Sequence, residues 1–145
     1  MPANRDFEVR NELAADHVAD LIALYSETWW AADRTRDDVE LMLANSDVVF
    51  ALIDSRDNRL SGFARVLSDR IYFAMILDVI VAREHQGSGL GRCLLDAIVA
   101  HPLIAPIKSV ELVCQPELVS FYRRWGFTQD VGRSTLMRRP GPSHA

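Results

Sequence analysis

At 145 residues and 16.3 kDa, with 49% hydrophobic and 25% charged residues, the chain is long enough for a core that needs neither disulfide nor metal, and too balanced for disorder. A formal charge of -4 and a pI near 5.5 argue against a general nucleic-acid binder. Cys93 and Cys114 lie in apolar stretches without the Cys or Cys/His spacing of a zinc site, and neither an apolar leader after Met1 nor a membrane-length apolar run is present. These features predict a cytoplasmic protein with free thiols, no bound metal and no membrane contact.

Residues 7–13 read as a first strand, and Asp16 is placed to cap a helix whose Val18, Leu21, Ile22, Tyr25 and Trp29 share one face. Thr35, three residues before Asp38, signals the start of a second helix, with Val39, Met42 and Leu43 as its apolar stripe and Asn45-Ser46 at its end. Residues 47–53 and 60–67 flank a polar loop and predict a hairpin. Residues 71–82 are apolar at both parities except for Asp78, as expected of a central strand covered on both faces. A further helix presents Leu90, Leu94, Ala97 and Ile98 and stops near His101-Pro102, with His101 at its negative end. Then follow a strand over 109–114, a helix with Leu118, Tyr122 and Trp125 on one face, and Gly126 in position for the left-handed residue that ends it, with Phe127 packing back. Residues 135–138 suggest a last strand, and 139–145 a loose tail. This order predicts one α+β domain over residues 1–138, built on a mixed, mostly antiparallel sheet flanked by helices.

Between the central strand and the third helix stands Gln86-Gly87-Ser88-Gly89-Leu90-Gly91-Arg92. The first amides of a helix lack internal partners and carry the positive end of its dipole, so a glycine-rich loop leading into one forms an anion site. Three glycines remove the side chains that would keep a diphosphate from the backbone. The spacing does not fit a P-loop, because Gly91 is followed by Arg92 and Cys93 rather than Lys and Ser or Thr. Nor does it fit the GxGxxG dinucleotide fingerprint, since these residues read GxGxG.

The segment resembles the acyl-CoA loop of the GCN5-related N-acetyltransferases, whose pattern is Gln or Arg, two residues, Gly, any residue, Gly or Ala. Residues 118–127, in which Phe121-Tyr122 on a short helix precedes Gly126-Phe127, are similar to that family's later segment, in the same order and at the same separation. The resemblance spans about residues 72–130 and implies acetyl-CoA as co-substrate, held through Gln86, Gly87, Ser88, Gly89, Leu90, Gly91 and Arg92. It also implies that the central strand and the strand over 109–115 splay apart. The pantetheine arm would enter the gap along Val79, Ile80 and Val81, with Gln115 at the far strand's end.

Acetyl transfer to an amine needs a neutral nucleophile, a polarised carbonyl and a proton for the departing thiolate. By resemblance, backbone amides near Val79 and Ile80 polarise the carbonyl, and Tyr122 is the general acid. Its phenol, with a reference pKa of ~10, is protonated at neutral pH. Two carboxylates stand as candidate bases: Asp78, whose pKa desolvation is expected to raise, and Glu111, one strand over. Trp29, Trp30 and Arg34, with Asp33, join the first two helices in a region that lines the acceptor groove of this fold, and adjacent tryptophans cannot both face one core. Arg65 and Asp69 either border that groove or form an ion pair. The implied activity is direct acetyl transfer to a small primary amine in a ternary complex, by a monomer or homodimer without nucleic-acid partners. A non-catalytic acyl-CoA-binding module and a protein or peptide N-acetyltransferase are the alternatives.

Overall fold

The computed structural model describes residues 4–142 and divides into two compact units, Met1–Val113 and Cys114–Ala145. The first is an α+β unit whose five strands run in the spatial order β1-β2-β3-β4-β5: β1 (Phe7–Arg10), β2 (Val48–Asp54), β3 (Arg59–Ser68), β4 (Phe73–Val81) and β5 (Ser109–Leu112). The first three pairings are antiparallel and the last is parallel, so the sheet is mixed as the sequence predicts.

Helices α1 (Ala15–Ser26) and α2 (Arg36–Ala44) bury Val18, Leu21, Leu24, Tyr25 and Val39 against Ala51, Ile53, Phe63 and Ile80. Side chains alternate along a strand, so Phe50, Leu52, Ala64 and Val66 point to the other face. There α3 (Leu90–Ala100) buries Leu90, Leu94, Leu95 and Ile98. Gly62 lets the sheet close on that side, because a Cβ on it would meet the Ile80 carbonyl and the Leu52 side chain at 3.0 Å. The cap of α2 is as expected, Thr35 accepting from the Asp38 N–H at 3.3 Å. That of α1 is not: Ala14 is the N-cap, and its N–H donates to His17 Nδ1 at 3.2 Å, leaving Asp16 in the first turn. His17 Nε2 lies 3.0 Å from the Asn58 carbonyl and ties the helix to the β2–β3 turn. The α1 helix also stops at Ser26, which puts Trp29 in an exposed turn rather than on the apolar face.

In the second unit, a 3-10 turn at Pro116–Leu118 leads into the single turn α4 (Val119–Tyr122), a second 3-10 turn at Arg123–Trp125, and Gly126 at φ +87°. The expected strand over 135–138 is absent. These residues carry no regular structure, and Leu136 and Met137 are exposed. Residues 139–142 carry no regular structure, and the remainder of the expected tail, 143–145, lies outside the described residues.

Candidate active site

Pairing between β4 and β5 covers only four residues, Phe73↔Ser109 to Ile76↔Leu112. Beyond it β4 runs on to Val81 while β5 has ended. The edge of β4 that carries Val79, Ile80 and Val81 is therefore unpaired on that side, where the family resemblance implied a splay, and the far strand ends at Leu112 rather than reaching Gln115. The same stretch leads through a 3-10 turn at Arg83–His85 into the glycine loop.

The loop is shaped by backbone rather than side chains. Gly87 and Gly89 have φ +81° and +85°, and a Cβ on either would meet nothing within 4 Å, so the left-handed conformation and not crowding demands glycine. Gly91 differs: it lies in the first turn of α3 with no positive φ, and what it contributes is a missing side chain. Cys93 is the first residue to bond back into the helix, to the Gly89 carbonyl at 3.3 Å, so the amides of Leu90, Gly91 and Arg92 before it point outward. Exposed Gln86 reaches back to β4, its Nε2 donating to the Val81 carbonyl at 3.1 Å, and the Ser88 hydroxyl donates to the His85 carbonyl. Both residues brace the loop.

Asp78 sits where β4 bulges. From Phe63↔Ile80 to Arg65↔Leu77 the register slips by one residue, and Asp78 takes φ +56°. Its Oδ2 accepts from Arg34 Nη1 at 2.7 Å, from Arg65 Nε at 2.7 Å and from the Tyr25 hydroxyl at 2.9 Å. Desolvation pushes the Asp78 carboxyl up, but hydrogen bonds and charges from Arg34 and Arg65 outweigh it and hold the group below the ordinary carboxylate range. The sequence expectation of a raised pKa is thus reversed, because it counted burial and not the cations that accompany it. Burial, followed by the Asp78 charge and hydrogen bond, pushes the Tyr25 phenol well above its usual value. Burial also pulls the Arg34 guanidinium down, and its bond to Asp78 more than restores it.

Arg34 stacks over Tyr25 at 4.6 Å and over Trp30 at 5.6 Å from the ring centroids. Trp30 in turn meets Tyr25 edge to face. Trp29 and Asp33 project from the same turn and are exposed. Arg65 is not paired with Asp69, whose Oδ1 instead accepts from the N–H groups of Ile71, Tyr72 and Phe73 at 2.9, 2.8 and 3.1 Å and shapes the β3–β4 turn. Glu111 lies opposite Met75, three residues short of Asp78, and is exposed with Ser109 Oγ on its carboxylate at 3.2 Å. The structure therefore brings Asp78 together with Arg34 and Trp30, and not with Glu111. Sequence reasoning missed Tyr25 as a partner of Asp78. The signal was a lone carboxylate in an apolar strand, which must find donors.

Tyr122 and Gln115 belong to the second unit. Gln115 precedes the Pro116 turn, its carbonyl accepting from the Leu118 N–H at 2.9 Å. Tyr122 is 8% exposed and packs edge to face on Phe121 and Phe127. Burial, with a smaller contribution from Cys114, pushes its phenol up to about 12. Among the described residues no three His, Cys, Asp or Glu side chains gather as a metal site, and no helix is long and apolar enough to cross a membrane.

A family model for the acetyltransferase (GNAT) domain matches residues 12–138. A solved GNAT-family protein from Xanthomonas campestris pv. campestris superposes with a TM-score of 0.81 at 32% identity, covering 98% of this chain and 96% of its own. In sequence, the uncharacterized N-acetyltransferase ycf52 of Pyropia yezoensis is 36% identical over 94 residues, which is 63% of this chain and 54% of that protein. Serotonin N-acetyltransferase 2, chloroplastic, of Oryza sativa subsp. japonica is 31% identical over 131 residues, 88% of this chain and 64% of that protein. The chain thus spans between about half and two thirds of the length of these two curated relatives.

Proposed function

Because the chain belongs to the GCN5-related N-acetyltransferase (GNAT) family, we propose that it moves an acetyl group from acetyl-CoA to the primary amine of a small molecule, directly within a ternary complex. The observation that supports this reading is the continuity of an unpaired β4 edge with a glycine loop opening onto the start of α3. The pantetheine amides find strand-like partners along Val79 to Val81, and the diphosphate finds the outward amides of residues 90–92 and the positive end of the helix. The bond from Gln86 to the Val81 carbonyl supports a bracing role for it rather than direct contact with phosphate.

In the reaction, the amine nitrogen attacks the thioester carbonyl carbon, the tetrahedral oxyanion is met by backbone N–H groups near Val79 and Ile80, and the C–S bond breaks as the nitrogen loses a proton. Tyr122 hydrogen-bonds the departing sulfur. With a pKa of about 12 it stays protonated across the neutral range and holds its proton more tightly than a thiolate of reference pKa ~8.5. Hydrogen bonding is therefore a larger part of its contribution than complete proton transfer. An ionised Asp78 already bonded to three donors is better suited to fixing the groove than to deprotonating an amine, and exposed Glu111 offers no fixed path. Water carries the amine proton in this scheme. Free, half-buried Cys93 and Cys114, both with thiols pushed up by burial, suit the reducing cytoplasm and argue against covalent catalysis.

The test is Tyr122→Phe, with free-thiol release measured over a panel of amines and acetyl-CoA affinity measured by calorimetry. Turnover is expected to fall by ~10²- to 10⁴-fold with acetyl-CoA affinity and melting temperature nearly unchanged. Wild-type turnover in a folded variant removes Tyr122 from the mechanism. Acetyl-CoA binding by the wild type without turnover of any amine points instead to a non-catalytic acyl-CoA-binding module.

A further inference from the structure

We propose that the acceptor is an amine that also carries an anionic oxygen group, a carboxylate or a phosphate, and that Arg34 and Arg65 receive it. This rests on the acetyltransferase reading and narrows its substrate class. Asp78 is a single negative charge shared by two guanidiniums, so the cluster holds one unmatched positive charge within a protein whose net charge is -4. The mismatch is local to a half-buried place. The side chains are 29% exposed for Arg34, 15% for Arg65 and 7% for Asp78.

A guanidinium has five N–H donors in a rigid fork. Arg65 engages Asp78 through Nε alone, and Arg34 through Nη1, which also reaches Met42 Sδ at 3.6 Å. Arg34 also meets the Tyr25 side chain, and no buried side-chain nitrogen or oxygen among the described residues is left unsatisfied. Both arginine side chains keep part of their surface open to solvent. A ligand oxyanion entering from that side replaces water on donors already oriented by Asp78, which lowers the ordering cost of binding.

Position links this receptor to the reaction. Asp78 immediately precedes Val79, and Arg65 faces Leu77 across the β3–β4 ladder, in the stretch of β4 that has lost β5. The glycine loop, where the diphosphate would sit, lies beyond the C-terminal end of the same strand. An anion on Arg34 and Arg65 is consequently at the acyl end and belongs to the acceptor, not to the nucleotide. Trp30, 40% exposed and adjoining Arg34, supplies an apolar wall for the rest of the molecule.

The experiment compares matched pairs, tryptophan with tryptamine and O-phosphoethanolamine with ethanolamine, by calorimetric affinity for the acetyl-CoA-free protein and by free-thiol release with acetyl-CoA present. In at least one pair the anionic member is expected to bind about ten- to a hundredfold more tightly, the pair showing whether carboxylate or phosphate is preferred. Arg34→Gln, at the more exposed of the two arginines, should remove that advantage and leave acetyl-CoA affinity unchanged, and Arg34→Lys should restore part of it. Equal or weaker binding of the anionic member in both pairs overturns the proposal, as does binding of none of the four. An acetyl-CoA affinity that falls in Arg34→Gln while the anion preference persists assigns the charge to the donor and also overturns it. Anion-selective binding without thiol release from any pair leaves the receptor standing and counts against the transfer reaction instead.

Discussion

The glycine loop and the Asp78 cluster adjoin the same strand and are built on opposite principles. The loop spans seven consecutive residues, and its geometry comes from backbone: two left-handed glycines, a helix start and a bracing amide from Gln86. The cluster is assembled from Tyr25, Arg34, Arg65 and Asp78, the first three lying 53, 44 and 13 residues from Asp78 in sequence, and it is held together by side chains. A backbone site of this kind depends first on its glycines, with Gln86 and Ser88 as braces. A side-chain site fails when any one member leaves, because each buried charge depends on the others.

The largest stability loss is expected from Asp78→Ala, which strands two half-buried guanidiniums and the Tyr25 hydroxyl. Removing one partner of such a cluster costs roughly 3–5 kcal/mol, and with Arg34 able to turn toward water we expect about 3, measured by urea denaturation. The same carboxyl produces an acid dependence. Its folded pKa lies below the unfolded value of ~3.9, so the stability it provides is complete above that value and is lost as pH falls through the folded pKa. Asp78→Asn should flatten that part of a stability profile recorded from pH 5 downward. A profile as steep as the wild type's would place the acid sensitivity elsewhere.

Next in size is Tyr25→Phe, which deletes one charge-assisted hydrogen bond inside an otherwise unchanged ring packing and should cost about 1.5 kcal/mol. Smallest is Gly89→Ala in the unliganded protein. The added methyl meets no atom within 4 Å, so only the left-handed φ is strained, worth ~1 kcal/mol. Gly89→Asp should add little further instability and yet abolish the rise in melting temperature that acetyl-CoA gives, by placing a negative charge where phosphate must approach. A Gly89→Asp protein that is folded and still stabilised by acetyl-CoA would take the loop out of the donor site.

The contrast also explains what was legible in the sequence. The loop could be read because Gln86 to Arg92 are contiguous and no other phosphate pattern fits them. The α2 cap at Thr35 and the β2–β3 hairpin were equally local, and both stand as expected. Asp78 was conspicuous as a carboxylate in an apolar strand, but its state depended on residues that only the folded sheet brings near. Periodicity carried Trp29 onto the α1 face because nothing local marks the stop at Ser26. The 135–138 segment has strand-forming composition, but a strand exists only where a neighbour completes its hydrogen bonds, and composition does not reveal the neighbour.

The backbone of Asp78, at φ +56°, restricts what this position can become. A left-handed residue in a strand bulge accepts glycine, asparagine or aspartate at little cost, and resists β-branched or longer side chains. Charge matching to Arg34 and Arg65 selects separately, for a carboxylate of this reach. Glycine meets the first demand and fails the second, asparagine supplies an acceptor without the charge, and glutamate supplies the charge from a backbone less willing to adopt the turn. In a saturation library scored for folded protein, position 78 should therefore show almost no tolerated neighbour of aspartate, unless Arg34 or Arg65 changes in the same molecule.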